Sequence, residues 1–243
     1  MAMPLAAAIK QYLLGSAFRK GATLLTSLTL ASYALGLVRD VLFARIFGAS
    51  RFLDIYNAAF IIPDLMLNIF VAGALTAAFV PVFTHLLARN EEREAEKVAT
   101  TMLVAAPLTM FVIGLAAFIF MPQLARIVAP GFSSDELALL IRMSRLMLLS
   151  PLIFAVSNTL GNILISYERF FGYGLSPILY NLGIISGIPL ALVFGPMGLV
   201  WGVLAGALGH LAMRLISVAR NGLHLAWPPD FANRNFLGIV PLM

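Results

Sequence analysis

Six stretches of this chain, 21–44, 55–86, 98–122, 137–167, 173–194 and 197–217, are long and apolar enough to cross a bilayer. The hydrocarbon core of a membrane takes about 20 largely apolar residues per helix. A backbone in hydrocarbon must satisfy its own polar groups, which leaves helices or closed barrels, and runs of this length select helices. The expected fold is all-α, a polytopic bundle of about six transmembrane helices. The second and fourth stretches exceed what a straight span needs, so each is expected to tilt, kink or continue beyond the membrane. Composition supports this: 61% of the residues are apolar and only 11% are charged, against about a quarter in soluble domains. A soluble fold would need more polar surface to cover its core, whereas lipid-facing helices can be apolar all round.

The six stretches divide the chain into a cytoplasmic N-terminal segment (1–20), a six-helix lobe (21–217), a polar cytoplasmic linker (218–235) and FLGIVPLM (236–243), expected to open a seventh helix cut off by the chain end. The first segment, MAMPLAAAIKQYLLGSAFRK, does not place its charge ahead of its apolar run as a cleaved signal does, so it is expected to be retained. With the N-terminus inside, ten Lys and Arg residues, Arg214 among them, fall in inside loops against six outside, a modest bias toward that orientation.

Composition also narrows the chemistry. There is no cysteine, which removes disulfides, thiolate metal sites and cysteine nucleophiles. The net charge of +5 comes from scattered residues, which suits lipid-surface attraction and not a nucleic-acid partner. His85, His210 and His224 lack metal-ligand spacing, and there is no nucleophile elbow, P-loop or acidic loop pair. No catalytic residue, metal or cofactor is expected, and the chain is not expected to be an enzyme. The dense charge run RNEEREAEK (89–97) fits a solvated helix end. Ser133 with Glu136 forms a capping box at the start of the fourth span. Gly198, Gly202 and Gly206, with Gly183 and Gly187, make small-residue stripes suited to close helix contact.

Against this background Arg39 and Asp40 stand out, because an ionisable group within a span costs roughly 3 kcal/mol or more unless it meets a cavity or a partner. Adjacent helical positions lie about 100° apart, so the two are not expected to neutralise each other along one face. Arg39 then needs another helix, water or an anionic ligand; alternatively the pair simply ends the first span, and the two readings weigh evenly. In the second span Asn57, Asp64 and Asn68 share one helical face, with Thr76 near its continuation. Pro63 removes a backbone donor and is expected to kink or break the helix there. The stripe fits a cavity lining or interhelical polar glue, with Asp64 favouring the first. Asn158, Asn162, Tyr180 and Asn181 fit either class.

GLVRDVLFARIFGAS (36–50), LDIYNAAFIIPDL (53–65) and AGALTAAFVPVF (72–83) resemble the N-terminal signature of the MurJ (MviN) lipid II flippases. This family belongs to the superfamily of multidrug, oligosaccharidyl-lipid and polysaccharide exporters. APGF (129–132), ERF (168–170) and SPILYNLGII (176–185) match in order and spacing, so the resemblance runs from about residue 21 onward. It implies a two-lobed transporter of the bacterial plasma membrane, with this chain as the N-terminal lobe and a second transmembrane lobe as its missing partner. The implied activity is movement of an undecaprenyl-diphosphate-linked peptidoglycan precursor from the inner to the outer leaflet by alternating access. The rival expectations are export of another lipid-linked saccharide on the same fold, or a non-transporting half-protein.

By the same resemblance, Arg39 and Asp40 match a motif whose arginine faces the cavity and engages the substrate's diphosphate, and Asp54 matches an aspartate at the start of span two. The expected substrate-binding set is Arg39, Asp40, Asp54, Asn57, Asp64 and Asn68. The chain departs from the family pattern where Tyr33, Leu67 and Asn68 replace basic residues and Ala72 replaces an acidic one. These losses weaken an anion site and leave more of the task to Arg39.

Overall fold

A computed structural model of the chain describes residues 16–70, 75 and 77–239. Most of the expected N-terminal segment (1–15), Ala72 and Thr76, and the end of the expected seventh helix (240–243) lie outside the described residues. Among the described residues every regular element is a helix: α1 (Ser16–Phe47), α2 (Arg51–Phe70), α3 (Val80–Ala88), α4 (Glu92–Val128), α5 (Ser134–Met147), α6 (Leu149–Ser166), α7 (Phe170–Phe194), α8 (Met197–Arg220) and α9 (Arg234–Leu237). Six segments are long and apolar enough to span a membrane: Arg19–Phe47, Arg51–Phe70, Glu92–Val128, Ser134–Ser166, Phe170–Phe194 and Met197–Arg220.

The second and fourth spans depart from straight helices in different ways. Pro63 sits buried inside a continuous α2, so of the kink or break expected beside Asp64 the break does not occur. Beyond the described range of α2, wide π-type turns at 75 and 77–79 lead into α3. Phe79 and Phe83 stack at 5.2 Å in a buried cluster with Met102 and Phe236, so apolar packing holds the irregular turn. In the fourth span α5 and α6 meet at Leu148. Pro151 cannot donate to the carbonyl of Met147, and the Ser150 hydroxyl donates to it instead at 2.8 Å. The capping box that starts α5 is present, with Ser133 accepting from the Glu136 amide and Glu136 accepting from the Ser133 amide.

Helices α7 and α8 pack through the two glycine stripes. A Cβ on Gly183 would fall on the backbone of Gly206, and one on Gly202 would fall on Gly187. With few apolar-transfer gains available between helices in lipid, this backbone proximity supplies the dispersion contacts that hold the pair. Helix α1 lies along α7, whereas α2 rests mainly on α5 and α6. Because α1 and α2 hardly touch, a gap opens between them with α7 as its floor. Large apolar residues on the outer faces, such as Phe111, Val112 and Phe120 of α4, are exposed, as lipid contact requires.

The charge run 89–97 does more than end a helix in solvent. Glu94 pairs with Lys97 at 2.7 Å and accepts from Asn233 Nδ2 at 2.9 Å, and the Asp230 amide donates to Thr101 Oγ1 at 2.9 Å. Asp230 and Asn233 thereby dock the end of the linker on the start of α4.

Candidate functional site

The gap between α1, α2 and α7 is a cavity of about 350 Å³. Helix α1 contributes Arg39, Asp40 and Phe43, α2 contributes Tyr56, Asn57, Phe60 and Asp64, and α7 contributes Tyr180 and Ile184. The chain places them there by helical spacing. Asn57 and Asp64 lie seven residues apart on α2, and Arg39 and Phe43 lie four apart on α1, so each helix turns one face to the gap.

Arg39 and Asp40 pair after all. Arg39 Nη2 lies 2.8 Å from Asp40 Oδ1, and Nε donates to the same oxygen at 2.9 Å. The angular separation of neighbouring residues excludes short side chains from such a contact, but the long arginine stem bends around the helix to reach its neighbour. The guanidinium also finds a partner on another helix: Nη1 donates to Asn181 Oδ1 of α7 at 3.0 Å. Asn181 is itself fixed, because its Nδ2 donates to Pro177 O at 3.1 Å and to Ser32 Oγ at 3.3 Å. With the amide nitrogen committed to acceptors, only the oxygen can face Arg39. The side chain of Arg39 keeps 27% of its surface accessible and that of Asp40 61%, so the pair is open to a ligand.

Four of the six expected residues therefore share one cavity: Arg39, Asp40, Asn57 and Asp64. Asp54 lies in the first turn of α2, and Asn68 lies exposed further along it; neither is among the cavity walls. Of the aromatic walls, Tyr180 was among the polar candidates of the sequence, whereas Phe43, Tyr56 and Phe60 were not singled out. Tyr56 is 3% exposed and packs edge-on against Phe60 at 5.1 Å and tilted against Phe43 at 5.4 Å, while Tyr180 is braced edge-on by Phe154 at 5.0 Å. The spacing of Tyr56 and Phe60 ahead of Asp64, four residues apart on α2, was the available signal.

A second polar cluster lies between α6, α7 and α8. Arg214, counted above as an inside-loop residue, is 3% exposed within α8. Its Nη1 donates to Ser157 O and to Asn158 Oδ1, and its guanidinium lies 4.7 Å from the centre of the Tyr173 ring. Gly161 opposite leaves it room, since a Cβ there would collide with the guanidinium. One turn away Ser157 Oγ and His210 Nδ1 are 2.7 Å apart. Ser157, His210 and Arg214 are buried, Asn158 and Tyr173 half-buried, and the cluster joins three helices.

Comparison with known proteins gives a consistent picture. A family model described as "Lipid II flippase MurJ" matches residues 43–243. A probable lipid II flippase MurJ of Rhizobium tropici is 29% identical over 206 residues, covering 81% of this chain and 39% of the relative. Its counterpart in Buchnera aphidicola subsp. Schizaphis graminum is 36% identical over 162 residues, covering 65% of this chain and 31% of the relative. A solved lipid II flippase MurJ in an inward closed conformation superposes with a TM-score of 0.72 at 24% identity, over 90% of this chain and 46% of that one, which shows the shared fold. The chain thus spans about two fifths of the length of such curated relatives.

Proposed function

The chain belongs to the Lipid II flippase MurJ family, and on that premise we propose that it is the N-terminal lobe of a transporter that flips an undecaprenyl-diphosphate-linked peptidoglycan precursor to the outer leaflet. The observation that carries this reading is the cavity that holds Arg39 between three helices, with one edge on Asp40 and the other on Asn181. A guanidinium in a site of lowered dielectric suits phosphate oxygens, which accept its forked N–H groups. Asp40 occupies Arg39 until substrate arrives; the diphosphate displaces that carboxylate while Asn181 keeps the guanidinium in place. Asn57 and Asp64 then line the path. Alternating access requires an opposite wall, and the proposed partner is a second transmembrane lobe. The N-terminus is placed in the cytoplasm.

One feature of the cavity favours a second reading. Among the described residues its wall carries Asp40 and Asp64 against one cation, Arg39, and Leu67 and Asn68 supply no further charge. A diphosphate then needs cations from the second lobe; a less charged lipid-linked saccharide does not. Equilibrium binding to the full-length protein separates the two. The first reading expects a prenyl-diphosphate lipid to bind at least tenfold tighter than its uncharged analogue, by about 1.4 kcal/mol or more. Equal binding overturns the diphosphate assignment and leaves the alternative cargo.

A further inference from the structure

A second cavity, of about 310 Å³, lies where α1 begins, α7 begins and α8 ends. Those three helix ends are level with one another: a Cβ on Gly21 would strike Phe170, and one on Gly172 would strike Ser217. They also mark a single membrane boundary, since the candidate spans start at Arg19 and Phe170 and end at Arg220. The cavity wall holds the basic side chains Arg169 and Arg220, both exposed and without an ion pair among the described residues. Its acidic member is Glu168, which has an interaction of its own. Helix α7 has no side-chain cap, and its first-turn amides have no intrahelical acceptor. Leu24, Phe171 and Met213 complete the wall with apolar surface.

We propose that this cavity is a headgroup site for an anionic membrane phospholipid. Arg169, Arg220 and the opening turn of α7 hold the phosphodiester, and Leu24, Phe171 and Met213 receive the start of the acyl chains. Among the described residues the cavity sets two guanidiniums beside apolar surface at a membrane boundary, which complements an anionic phosphodiester headgroup with its acyl chains. A basic pocket between helix ends at the membrane surface is the arrangement that captures acidic headgroups. The site is separate from the Arg39 cavity, and the proposal does not rest on the cargo of the transporter.

The test is native mass spectrometry of the full-length protein titrated with phosphatidylglycerol or with phosphatidylcholine. The parent is expected to retain phosphatidylglycerol in preference. The R169Q/R220Q double variant is expected to lose that retention by roughly tenfold or more, with an unchanged thermal midpoint. Arg126→Gln, at the C-terminal end of α4, is the control and should retain the lipid as the parent does. Equal retention by the double variant, or equal retention of phosphatidylcholine, overturns the site. Competition identifies the source of the phosphate. Millimolar inorganic phosphate is expected to leave the lipid bound, and complete displacement would mean a bare-phosphate site. Undecaprenyl diphosphate is expected to compete no better than phosphatidylglycerol, and tighter competition would reassign the cavity to the transported substrate.

Discussion

Arg39 illustrates how an intramembrane charge is kept without being spent on structure. Asp40 satisfies one edge of its guanidinium from the cavity wall and Asn181 the other from a buried position on α7, yet Arg39 itself stays open to the gap. Because the Asn181 amide is tied to Ser32 and Pro177, it fixes the position of Arg39 from a neighbouring helix. Asn181→Ala should slow transport by about tenfold, the effect of one lost hydrogen bond to a charged group, while leaving membrane insertion intact. Initial flipping rates in vesicles measure this, and an unchanged rate removes Asn181 from the site. Arg214 makes the opposite case, a guanidinium sealed between helices. Arg214→Ala should destabilise the lobe by about 3 kcal/mol, read as a lower thermal midpoint, because it opens a cavity and leaves the Asn158 side chain unpaired. Periodicity alone revealed that Asn57 and Asp64 share a face. It did not reveal where the cavity ends, which is why Asn68 was included, nor that Arg214 is buried. The residues that solvate Arg214 come from two other helices, and nothing along the chain shows that Ser157 and Tyr173 converge on it.

At the scale of the helices, small residues decide the packing. Gly183 and Gly202 let α7 and α8 approach until backbone meets backbone. Gly183→Ala should therefore lower stability by about 1–3 kcal/mol, the usual cost of overpacking. Gly131→Ala, where an added Cβ meets nothing within 4 Å, should be close to neutral in the same thermal-unfolding measurement. Equal shifts in both would mean that the α7–α8 contact is not close. The glycine stripes and the capping box at Ser133 were legible because each is a local pattern with a direct physical reason. The π-type turns at 75 and 77–79 were not. Pro63 was the visible breaker, but α2 accommodates it, and the π-type turns fall where Phe79 and Phe83 gain a buried cluster supplied by α4 and α9. That gain depends on tertiary neighbours.

For the molecule as a whole, the six spans and the all-helical lobe follow from hydrophobic length, and the family match and the superposition with a solved lipid II flippase agree with them. The cavity opens on one side of a single lobe, so its function depends on what faces it. The central claim is that Arg39 receives the diphosphate of a lipid-linked cell-wall precursor. Its most direct test is complementation: the full-length gene, with and without Arg39→Ala, in a bacterium depleted of its own lipid II flippase. Rescue by the parent and none by an Arg39→Ala protein that is present in the membrane at the same level is the predicted result. Rescue by both would contradict the role given to Arg39, and failure of a well-expressed parent would contradict the cargo.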